Sequence, residues 1–347
     1  MTASILIAGR PIGPEHPPYV IAEMSGNHNG DIDRALALID AAKAAGADAV
    51  KLQTYTADTI TIDHDGPGFL IEGGLWHGRR LHELYQEAHT PWDWHPRLFD
   101  HSRDVGITVF SSPFDPTAVD FLEALGAPAY KVASFEIVDT PLIAAMARTG
   151  KPLIISTGLA SPEDIADAVA AAQGAGGLVL LHCTSGYPTP AAQMHLRTMA
   201  DLATHHGALV GLSDHSMGTA VSVAAVALGA CVIEKHFTLA RADGGPDAAF
   251  SLEPDELAQL ARDCRQAWEA LGSVHYEEVE AEAASRDHRR SLYVVADIKR
   301  GEPLTTRNIR SIRPGHGLAP KHLDNVLGRC AKRDLKRGEP LDWTFLD

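Results

Sequence analysis

The sequence predicts an α/β fold, a (β/α)8 TIM barrel followed by a small, β-rich C-terminal domain, and three observations lead to this prediction. Eight short apolar runs alternate with helical patterns through most of the chain, which is typical of parallel α/β barrels. The length of 347 residues leaves room for one barrel of about 250 residues and a small appendage. Beyond residue 275 the composition changes to a charged stretch and then to a segment rich in glycine and proline turns. We therefore expect a barrel over residues 1–275, a linker over 276–288 and a small domain over 289–347.

The predicted barrel strands are the apolar runs, which lie at residues 19–23, 49–53, 108–111, 129–132, 153–156, 178–182, 211–215 and 232–236. Helical patterns occur at residues 32–45, 94–105, 118–125, 142–148, 162–172, 195–206, 221–228 and 256–271. A short hairpin is predicted over residues 4–13. Residues 54–90 interrupt the alternation, and insertions of this length usually form lids or binding loops.

The hexapeptide KRGEPL occurs twice in the predicted small domain, at residues 299–304 and 336–341. A pseudo-symmetric fold produces such a repeat, and so does chance similarity between two turns. The sequence alone leaves both explanations open.

Charge and cysteine usage exclude several classes of protein. The net charge of −15 argues against nonspecific nucleic-acid binding, which needs a broad basic surface. The four cysteines form no CxxC pair, so we interpret them as buried free thiols in a reducing compartment. No secretory leader is recognisable, and no apolar run approaches the roughly 18 residues of a membrane span. We expect a cytoplasmic, soluble protein.

Two histidines follow neighbouring strands of the predicted barrel. His215 and His236 stand at the ends of the last two strands, with a helical pattern between those strands. In a parallel barrel such strand ends share the rim where active sites lie. Two imidazoles with Asp214 and Glu234 beside them suit a divalent metal ion that keeps positions open for substrate. The alternative is that each histidine only caps its strand by hydrogen bonding, and the paired placement favours the metal site.

Polar residues end most of the other predicted strands, and we expect them to face the same crevice. They are Glu23, Lys51, Gln53, Ser111, Lys131, Ser134, Ser156, Thr157, His182, Ser185 and Glu234. A lysine within a strand is costly to bury unless a counter-charge meets it. An internal ion pair such as Lys51 with Glu23 is one explanation. Two lysines among hydroxyl groups favour the other, a substrate that carries a phosphate and a carboxylate.

Motifs along almost the whole chain show that the sequence resembles the sialic acid synthase family. They are IAE at 21–23, KLQT at 51–54, SSPF at 111–114, YKVAS at 130–134, STG at 156–158, HCTS at 182–185, GLSDH at 211–215 and EKHF at 234–237. The closing segment, with RPGHG at 313–317, resembles the antifreeze-like (SAF) domain that ends these synthases. Further motifs resemble one branch of the family, at residues 55–61, 73–76, 90–95 and 244–247.

The resemblance implies a transferase that condenses phosphoenolpyruvate with an N-acetylated sugar and water, releasing phosphate by C–O cleavage and forming a nine-carbon 2-keto acid. The similar branch implies that the sugar is 2,4-diacetamido-2,4,6-trideoxy-β-L-altropyranose and the product pseudaminic acid. Legionaminic acid or N-acetylneuraminic acid as the product is the alternative. A more apolar sugar pocket is expected from Phe69, Leu75, Trp76 and Phe250.

The resemblance also implies a role for each site residue. His215 and His236 hold a divalent ion, Mn²⁺ or a substitute such as Mg²⁺ or Co²⁺. Glu23 orients sugar hydroxyls or assists proton transfer, and Glu234 is a proton carrier or partner of metal-bound water. The residues expected to bind phosphoenolpyruvate or the sugar are Lys51, Gln53, Ser111, Lys131, Ser134, Ser156, Ser185, Tyr187 and Asp247. Arg313 reaches the N-acetyl group from the partner subunit of a homodimer with swapped C-terminal domains.

Three other functions compete with this interpretation. A metal-dependent hydrolase on the same barrel usually has an HxH pair after its first strand, where this chain has Asn27-His28-Asn29. An aldol synthase that makes a shorter sugar acid shares the lysines and the metal but needs no C-terminal domain. A carbohydrate-binding or ice-binding module is suggested by the last domain alone, and phosphate release from phosphoenolpyruvate distinguishes an enzyme from it.

Overall fold

The computed structural model describes residues 4–347, and the contacts within the chain separate two compact units between Gly272 and Ser273. The first unit holds the predicted barrel, and the second, Ser273–Asp347, holds the small domain. The predicted fold class is confirmed for both units. No helix in the described range, 4–347, is long and apolar enough to cross a membrane.

Eight parallel strands close the barrel of the first unit. A two-stranded antiparallel hairpin, β1 (Ile5–Ile7) with β2 (Arg10–Ile12), precedes it. The barrel strands are β3 (Tyr19–Glu23), β4 (Ala49–Thr54), β5 (Thr108–Pro113), β6 (Tyr130–Val132), β7 (Leu153–Ser156), β8 (Leu178–Cys183), β9 (Leu209–Ser213) and β10 (Val232–His236). They pair in chain order, and β10 closes the barrel against β3. The C-terminal ends of all eight strands therefore lie at one rim.

Ten α-helices belong to the described part of this unit. They are α1 (Ile32–Ala44), α2 (Ala57–Ile60), α3 (Leu81–Ala88), α4 (His95–Val105), α5 (Pro116–Ala124), α6 (Thr140–Ala147), α7 (Pro162–Ala171), α8 (Thr198–His206), α9 (Ala220–Ala227) and α10 (Pro254–Leu271). Side-chain caps explain where several of these helices begin. Asp115, Asp139 and Ser161 each accept a hydrogen bond from a backbone N–H of the first helical turn, and each of these turns contains a proline at its first or second position. The insertion after β4 contains α2 and α3, which the sequence did not indicate.

Alternation along each strand decides which side chains enter the barrel. Tyr19, Ile21, Phe110, Ile154 and Leu181 belong to a buried cluster of alternate strand residues. The residues between them pack with the helices in a separate, larger core. Because side chains alternate between the two faces of a strand, polar residues two positions further along a strand from a member of the inner cluster also point into the barrel.

The second unit is a small β-rich domain with its own core. Its paired strands are β11 (Ser291–Val294) and β12 (Ile309–Ile312), and a short helix, α11 (Leu323–Val326), follows. The repeated hexapeptide forms a pseudo-symmetric pair, because Ile298 and Leu335 exchange backbone hydrogen bonds of 2.9 and 2.8 Å. Lys299 reaches Asp334 at 2.8 Å, and the equivalent Lys336 reaches Asp297 at 3.0 Å. Symmetry, and not chance, explains the repeat.

Candidate active site

Two lysines and two glutamates form a buried charged cluster inside the rim of the barrel. Lys51 Nζ lies 2.7 Å from Glu23 Oε2 and 3.7 Å from Glu234 Oε1. Lys131 Nζ lies 3.5 Å from Glu234 Oε1. Gln53 Nε2 donates to Glu23 Oε1 at 2.9 Å. The strands β3, β4, β6 and β10 thus each contribute a charged residue that is at most 5% exposed.

The cluster separates the protonation behaviour of its two carboxyl groups. Burial raises the pKa of Glu23 to about 7, although Lys51 opposes this effect. Burial alone would also raise the pKa of Glu234, but the ammonium groups of Lys131 and Lys51 lower it below its usual value. Two carboxyl groups with pKa values pushed apart are typical of an acid and base assignment. Glu234 stays ionised, and Glu23 can gain or lose a proton near neutral pH.

Hydroxyl groups beside Lys131 form a cradle without a side chain at its centre. Lys131 Nζ donates to Ser156 Oγ at 2.7 Å. A methyl group added to Gly158 would lie 2.3 Å from Ser185 Oγ and 2.7 Å from Ser134 Oγ. The loops after β6, β7 and β8 therefore bring two hydroxyl groups against the backbone of one glycine. Hydroxyl donors beside a buried ammonium group suit a phosphate.

Three of the polar residues predicted for the crevice lie outside the inward register, namely Ser111 in β5, His182 in β8 and Thr157 directly after β7, and these predictions were wrong. The Ser111 hydroxyl hydrogen bonds to Thr54 Oγ1 at 2.6 Å. The hydroxyl of Thr157 donates to the Leu181 carbonyl, and His182 Nε2 bonds to the Met194 carbonyl. Each is one position out of register with the inward set, because side chains alternate along a strand.

Three residues that do point into the barrel were not predicted from the sequence, each next to a wrongly predicted one or at the end of a neighbouring strand: Ser112, Cys183 and Ser213. Lys51 Nζ donates to Ser112 Oγ at 3.3 Å, and Ser213 Oγ donates to Glu234 Oε1 at 3.3 Å. Cys183 Sγ accepts from Ser134 Oγ at 3.4 Å and lies 3.8 Å from His215 Nδ1. Burial alone would raise the pKa of this thiol, but the hydrogen bond with His215 lowers it to about 7. All four cysteines are free, as expected; three are buried and Cys330 is half-buried.

The two histidines face each other at the end of β9 and β10. Their ring centroids are 5.4 Å apart. His215 Nδ1 lies 3.0 Å from the Thr184 carbonyl, which assigns the proton to Nδ1 and leaves Nε2 free as a ligand. Burial holds the pKa of His236 well below its usual value, and its Nδ1 is a buried atom without a hydrogen bond. This donor set fits a divalent ion held by two imidazoles, and no cluster of three or more acidic, histidine or cysteine ligands occurs among residues 4–347.

Comparison with known proteins identifies the family. Residues 38–276 match the model of the NeuB family, and residues 289–347 match the SAF domain. A pseudaminic acid synthase of Campylobacter jejuni subsp. jejuni serotype O:2 is 44% identical over 93% of this chain and 95% of its own length. An N,N'-diacetyllegionaminic acid synthase of Legionella pneumophila is 34% identical over 97% of both chains. The chain belongs to the NeuB family.

A solved structure agrees with this assignment. The N-acetylneuraminic acid synthetase of Leptospira borgpetersenii superposes with a TM-score of 0.73 at 31% identity, covering 82% of this chain and 95% of that one. The resemblance to the sialic acid synthase family with a terminal SAF domain is confirmed.

A network between the first and last barrel loops of this NeuB-family chain holds Asp247 at the site. Ser25 donates its hydroxyl proton to Asp247 Oδ2 in a short hydrogen bond. Asn27 Nδ2 donates to the Phe237 carbonyl at 2.8 Å and to Ser251 Oγ at 2.9 Å, while Ser251 Oγ donates to the Asp247 carbonyl at 2.7 Å. Ser25 adopts a positive φ of 47°, which is uncommon for serine. Contacts between residues that are more than 200 positions apart leave no signal in a single sequence.

An aromatic wall joins the insertion to the histidines. Trp76 Nε1 donates to the Pro246 carbonyl at 2.9 Å, and its ring lies 5.7 Å from that of Tyr187. Tyr187 in turn lies 4.4 Å from His215 and 5.0 Å from Phe250, measured between ring centroids. The other two predicted pocket residues do not join the wall, since Phe69 packs on His64 and Leu75 is half exposed.

Two further predicted residues lie elsewhere. Asp214 faces away from the histidines and forms an ion pair with Lys235 on the outer face of the barrel. The prediction that Asp214 lies beside a metal ion was therefore wrong. Arg313 belongs to the second unit, where it directly follows β12 and is exposed. Within residues 4–347 no carboxylate forms an ion pair with it.

Proposed function

We propose that this chain is an enzyme that condenses phosphoenolpyruvate with 2,4-diacetamido-2,4,6-trideoxy-β-L-altropyranose and water, forming pseudaminic acid and phosphate. One observation carries the proposal: two buried lysines, Lys51 and Lys131, stand beside a hydroxyl cradle at the rim of the barrel. The 44% identical relative bears the name of this activity. Family members named for legionaminic acid are less similar, at 34% identity in one case.

Phosphoenolpyruvate is the anionic substrate that the charged cluster would receive. Ser134 and Ser185 would donate to the phosphate above Gly158, beside the Lys131 ammonium group. Lys51 and Ser112 would contact the rest of the molecule from the opposite side. Such charge-assisted hydrogen bonds are preorganised, and preorganised donors stabilise the charge that shifts during reaction.

The reaction forms one C–C bond and breaks one C–O bond. The C2–C3 double bond of phosphoenolpyruvate supplies the electron pair that attacks the aldehyde carbon of the open-chain sugar, and the aldehyde oxygen takes up a proton. Water adds to the positively charged C2 and releases a proton. The resulting tetrahedral carbon expels phosphate with the electron pair of its C–O bond while its hydroxyl group loses its proton, leaving the 2-keto acid. Glu23, with its pKa of about 7, would deliver and accept protons, while ionised Glu234 would balance the positive C2.

His215 and His236 would hold a divalent ion, which the resemblance to the family suggests is Mn²⁺, with water and substrate oxygens, the ligands that Mn²⁺ prefers, in the remaining positions. Their facing rings support this role, and so does Nδ1 of His236, which makes no hydrogen bond and lies 3.7 Å from Asp247 Oδ2. When bound, the ion would polarise the aldehyde oxygen as a Lewis acid.

The aromatic wall and Asp247 would select the sugar. The proposed sugar has a methyl group where N-acetylmannosamine has a C6 hydroxyl, and Trp76, Tyr187 and Phe250 offer that methyl group an apolar surface. Burying the extra hydroxyl without a partner costs about 1–3 kcal/mol, so N-acetylmannosamine should react about 5- to 150-fold less efficiently.

The test offers phosphoenolpyruvate with each of three sugars: the 2,4-diacetamido-2,4,6-trideoxy sugars of L-altro and D-manno configuration, and N-acetylmannosamine. Phosphate release and product mass are measured for each. Preference for the L-altro sugar supports the proposal. Preference for the D-manno sugar moves the assignment to legionaminic acid, and preference for N-acetylmannosamine moves it to N-acetylneuraminic acid. No phosphate release with any sugar contradicts synthase activity.

The active site would be completed by a second copy of the chain. Phe135, Val138 and Leu159 follow β6 and β7 at the rim and are 60%, 63% and 76% exposed. Exposed apolar side chains at one rim favour a covering partner, and the resemblance to the family suggests the SAF domain of the other subunit. Arg313, exposed and without an acidic partner in the described residues, would then bind the N-acetyl group in trans.

A further inference from the structure

A buried ion pair lies directly behind the two histidines, on the outer face of the barrel. Lys235 Nζ is 3.0 Å from Asp214 Oδ2, and both side chains are at most 1% exposed. Asp214 immediately precedes His215 in the chain, and Lys235 immediately precedes His236. The pair therefore joins the ends of β9 and β10 at the residues next to both imidazoles.

Every polar atom of the pair is engaged. Asp214 Oδ1 accepts from the backbone N–H of Ser216 at 2.8 Å and from its hydroxyl at 2.7 Å. Asp214 Oδ2 accepts from Ser222 Oγ of α9 at 2.6 Å. Lys235 Nζ also donates to the Ser216 carbonyl. The Lys235 ammonium group thus contacts both Asp214, the residue before His215, and Ser216, the residue after it.

Stability gives a poor explanation of such a pair. Moving two charges out of water costs several kcal/mol per ion, and apolar replacements of similar volume often match or exceed the stability of a buried pair. What an apolar replacement lacks is a directional bond to the Ser216 carbonyl. The arrangement fixes geometry in a way that packing alone does not.

We propose that Asp214 and Lys235 are positioning residues that set the separation and orientation of the His215 and His236 imidazoles. Lys235 anchors both strand ends, since it stands in β10 and holds the turn after β9. The effect on turnover rests on the proposed synthase function, whereas the effect on the histidine geometry does not.

The test replaces the pair by uncharged groups of similar shape, in the double variant Asp214→Asn/Lys235→Met of the full chain. Because no unpaired charge is left buried, we expect it to fold. Its crystal structure should show the imidazole centroids moved from their 5.4 Å separation by about 1 Å or disordered, a displacement that costs about 100-fold in rate. Mn²⁺ affinity, measured by electron paramagnetic resonance, should fall about 10- to 100-fold. The KM for phosphoenolpyruvate should stay unchanged, since its lysines lie on other strands.

Lys151→Met is the matched control, because Lys151 forms an ion pair with Glu123 at 2.6 Å away from the histidines. It should leave the imidazole separation, Mn²⁺ affinity and kcat unchanged. A folded double variant with the wild-type imidazole separation overturns the proposal, and so does one with shifted imidazoles and wild-type Mn²⁺ affinity and kcat. If the double variant does not fold, Lys235→Met alone, which leaves the Asp214 carboxylate with its hydrogen bonds from Ser216 and Ser222, is measured by the same criteria. A wild-type protein without synthase activity refutes the proposed function but leaves the structural comparison decisive for the pair.

Discussion

The substitution Gly158→Ala tests the phosphate cradle with a single methyl group. The added Cβ would lie 2.3 Å from Ser185 Oγ and 2.7 Å from Ser134 Oγ, distances at which both hydroxyl groups must rotate away. The backbone itself accepts alanine, because Gly158 has no left-handed φ. The change therefore removes two hydrogen-bond donors from the site while leaving the fold intact.

The expected loss follows from what those donors contribute. A hydrogen bond to a charged group is worth about 1.5–3 kcal/mol, so losing two costs about 3–6 kcal/mol. This corresponds to a decrease of about 10² to 10⁴ in kcat/KM for phosphoenolpyruvate. The free energy of unfolding should change by less than about 1 kcal/mol, since a compatible alanine also lowers the entropy of the unfolded chain.

The assay measures phosphate release at varied phosphoenolpyruvate and saturating sugar, with urea unfolding in parallel. Gly13→Ala is the matched control: its added methyl group meets Ser4 Cβ at 3.3 Å in the N-terminal hairpin, and its activity should remain unchanged. A Gly158→Ala enzyme that retains kcat/KM within about threefold of the wild type, which is below 1 kcal/mol, would refute the assignment of the phosphate to this cradle.

Three further predictions concern the metal, the partner subunit and pH. Chelation should abolish turnover without unfolding the protein, and Mn²⁺ should restore it, because an ion held by only two protein imidazoles, as proposed, should exchange; full activity in a preparation shown to be metal-free by elemental analysis contradicts this. Mixing Arg313→Ala and Glu23→Ala chains should regenerate activity, because in the proposed swapped dimer a heterodimer pairs one intact barrel with one intact arginine, and verified heterodimers without activity exclude the trans arrangement. Burial lowers the pKa of His28 and His95 to about 4, so these two groups bind fewer protons in the folded state than in the unfolded chain; their contribution to the free energy of unfolding is complete above about pH 6.5 and is lost as the pH falls toward 4. Lowering the pH from 8 to 5.5 should reduce the free energy of unfolding by about 1.4 kcal/mol for each of these histidines. Measured by urea unfolding, the His95→Gln variant should therefore lose about 1.4 kcal/mol less than the wild type over this pH interval, and an equal loss in both proteins contradicts the linkage.

Strand ends could be predicted from the sequence, but the facing of individual side chains could not. Barrel strands are apolar on both faces, so a run such as Ser111-Ser112 carries no sign of its register. The structure turns Ser112 toward Lys51 and Ser111 toward Thr54. For the same reason Asp214 was expected beside the histidines, whereas its side chain points to the outer face of the barrel and pairs with Lys235.

Contacts between distant loops were equally inaccessible. The bond from Ser25 to Asp247 and the bond from Trp76 to Pro246 each join loops that are far apart in sequence. No local pattern encodes such pairs, because they depend on the closure of the barrel between β10 and β3. The cradle at Gly158 depends on three loops in the same way.

The cluster of lysines and hydroxyl groups is proposed to bind phosphoenolpyruvate for condensation with C–O cleavage, and an isotope measurement can follow that bond. Phosphoenolpyruvate that carries oxygen-18 in the bridge between C2 and phosphorus is converted with the L-altro sugar, and the released phosphate is examined by phosphorus NMR. We expect the label to appear in phosphate in step with formation of the nine-carbon keto acid. Phosphate without the label, or labelled phosphate formed without any keto acid, would contradict it.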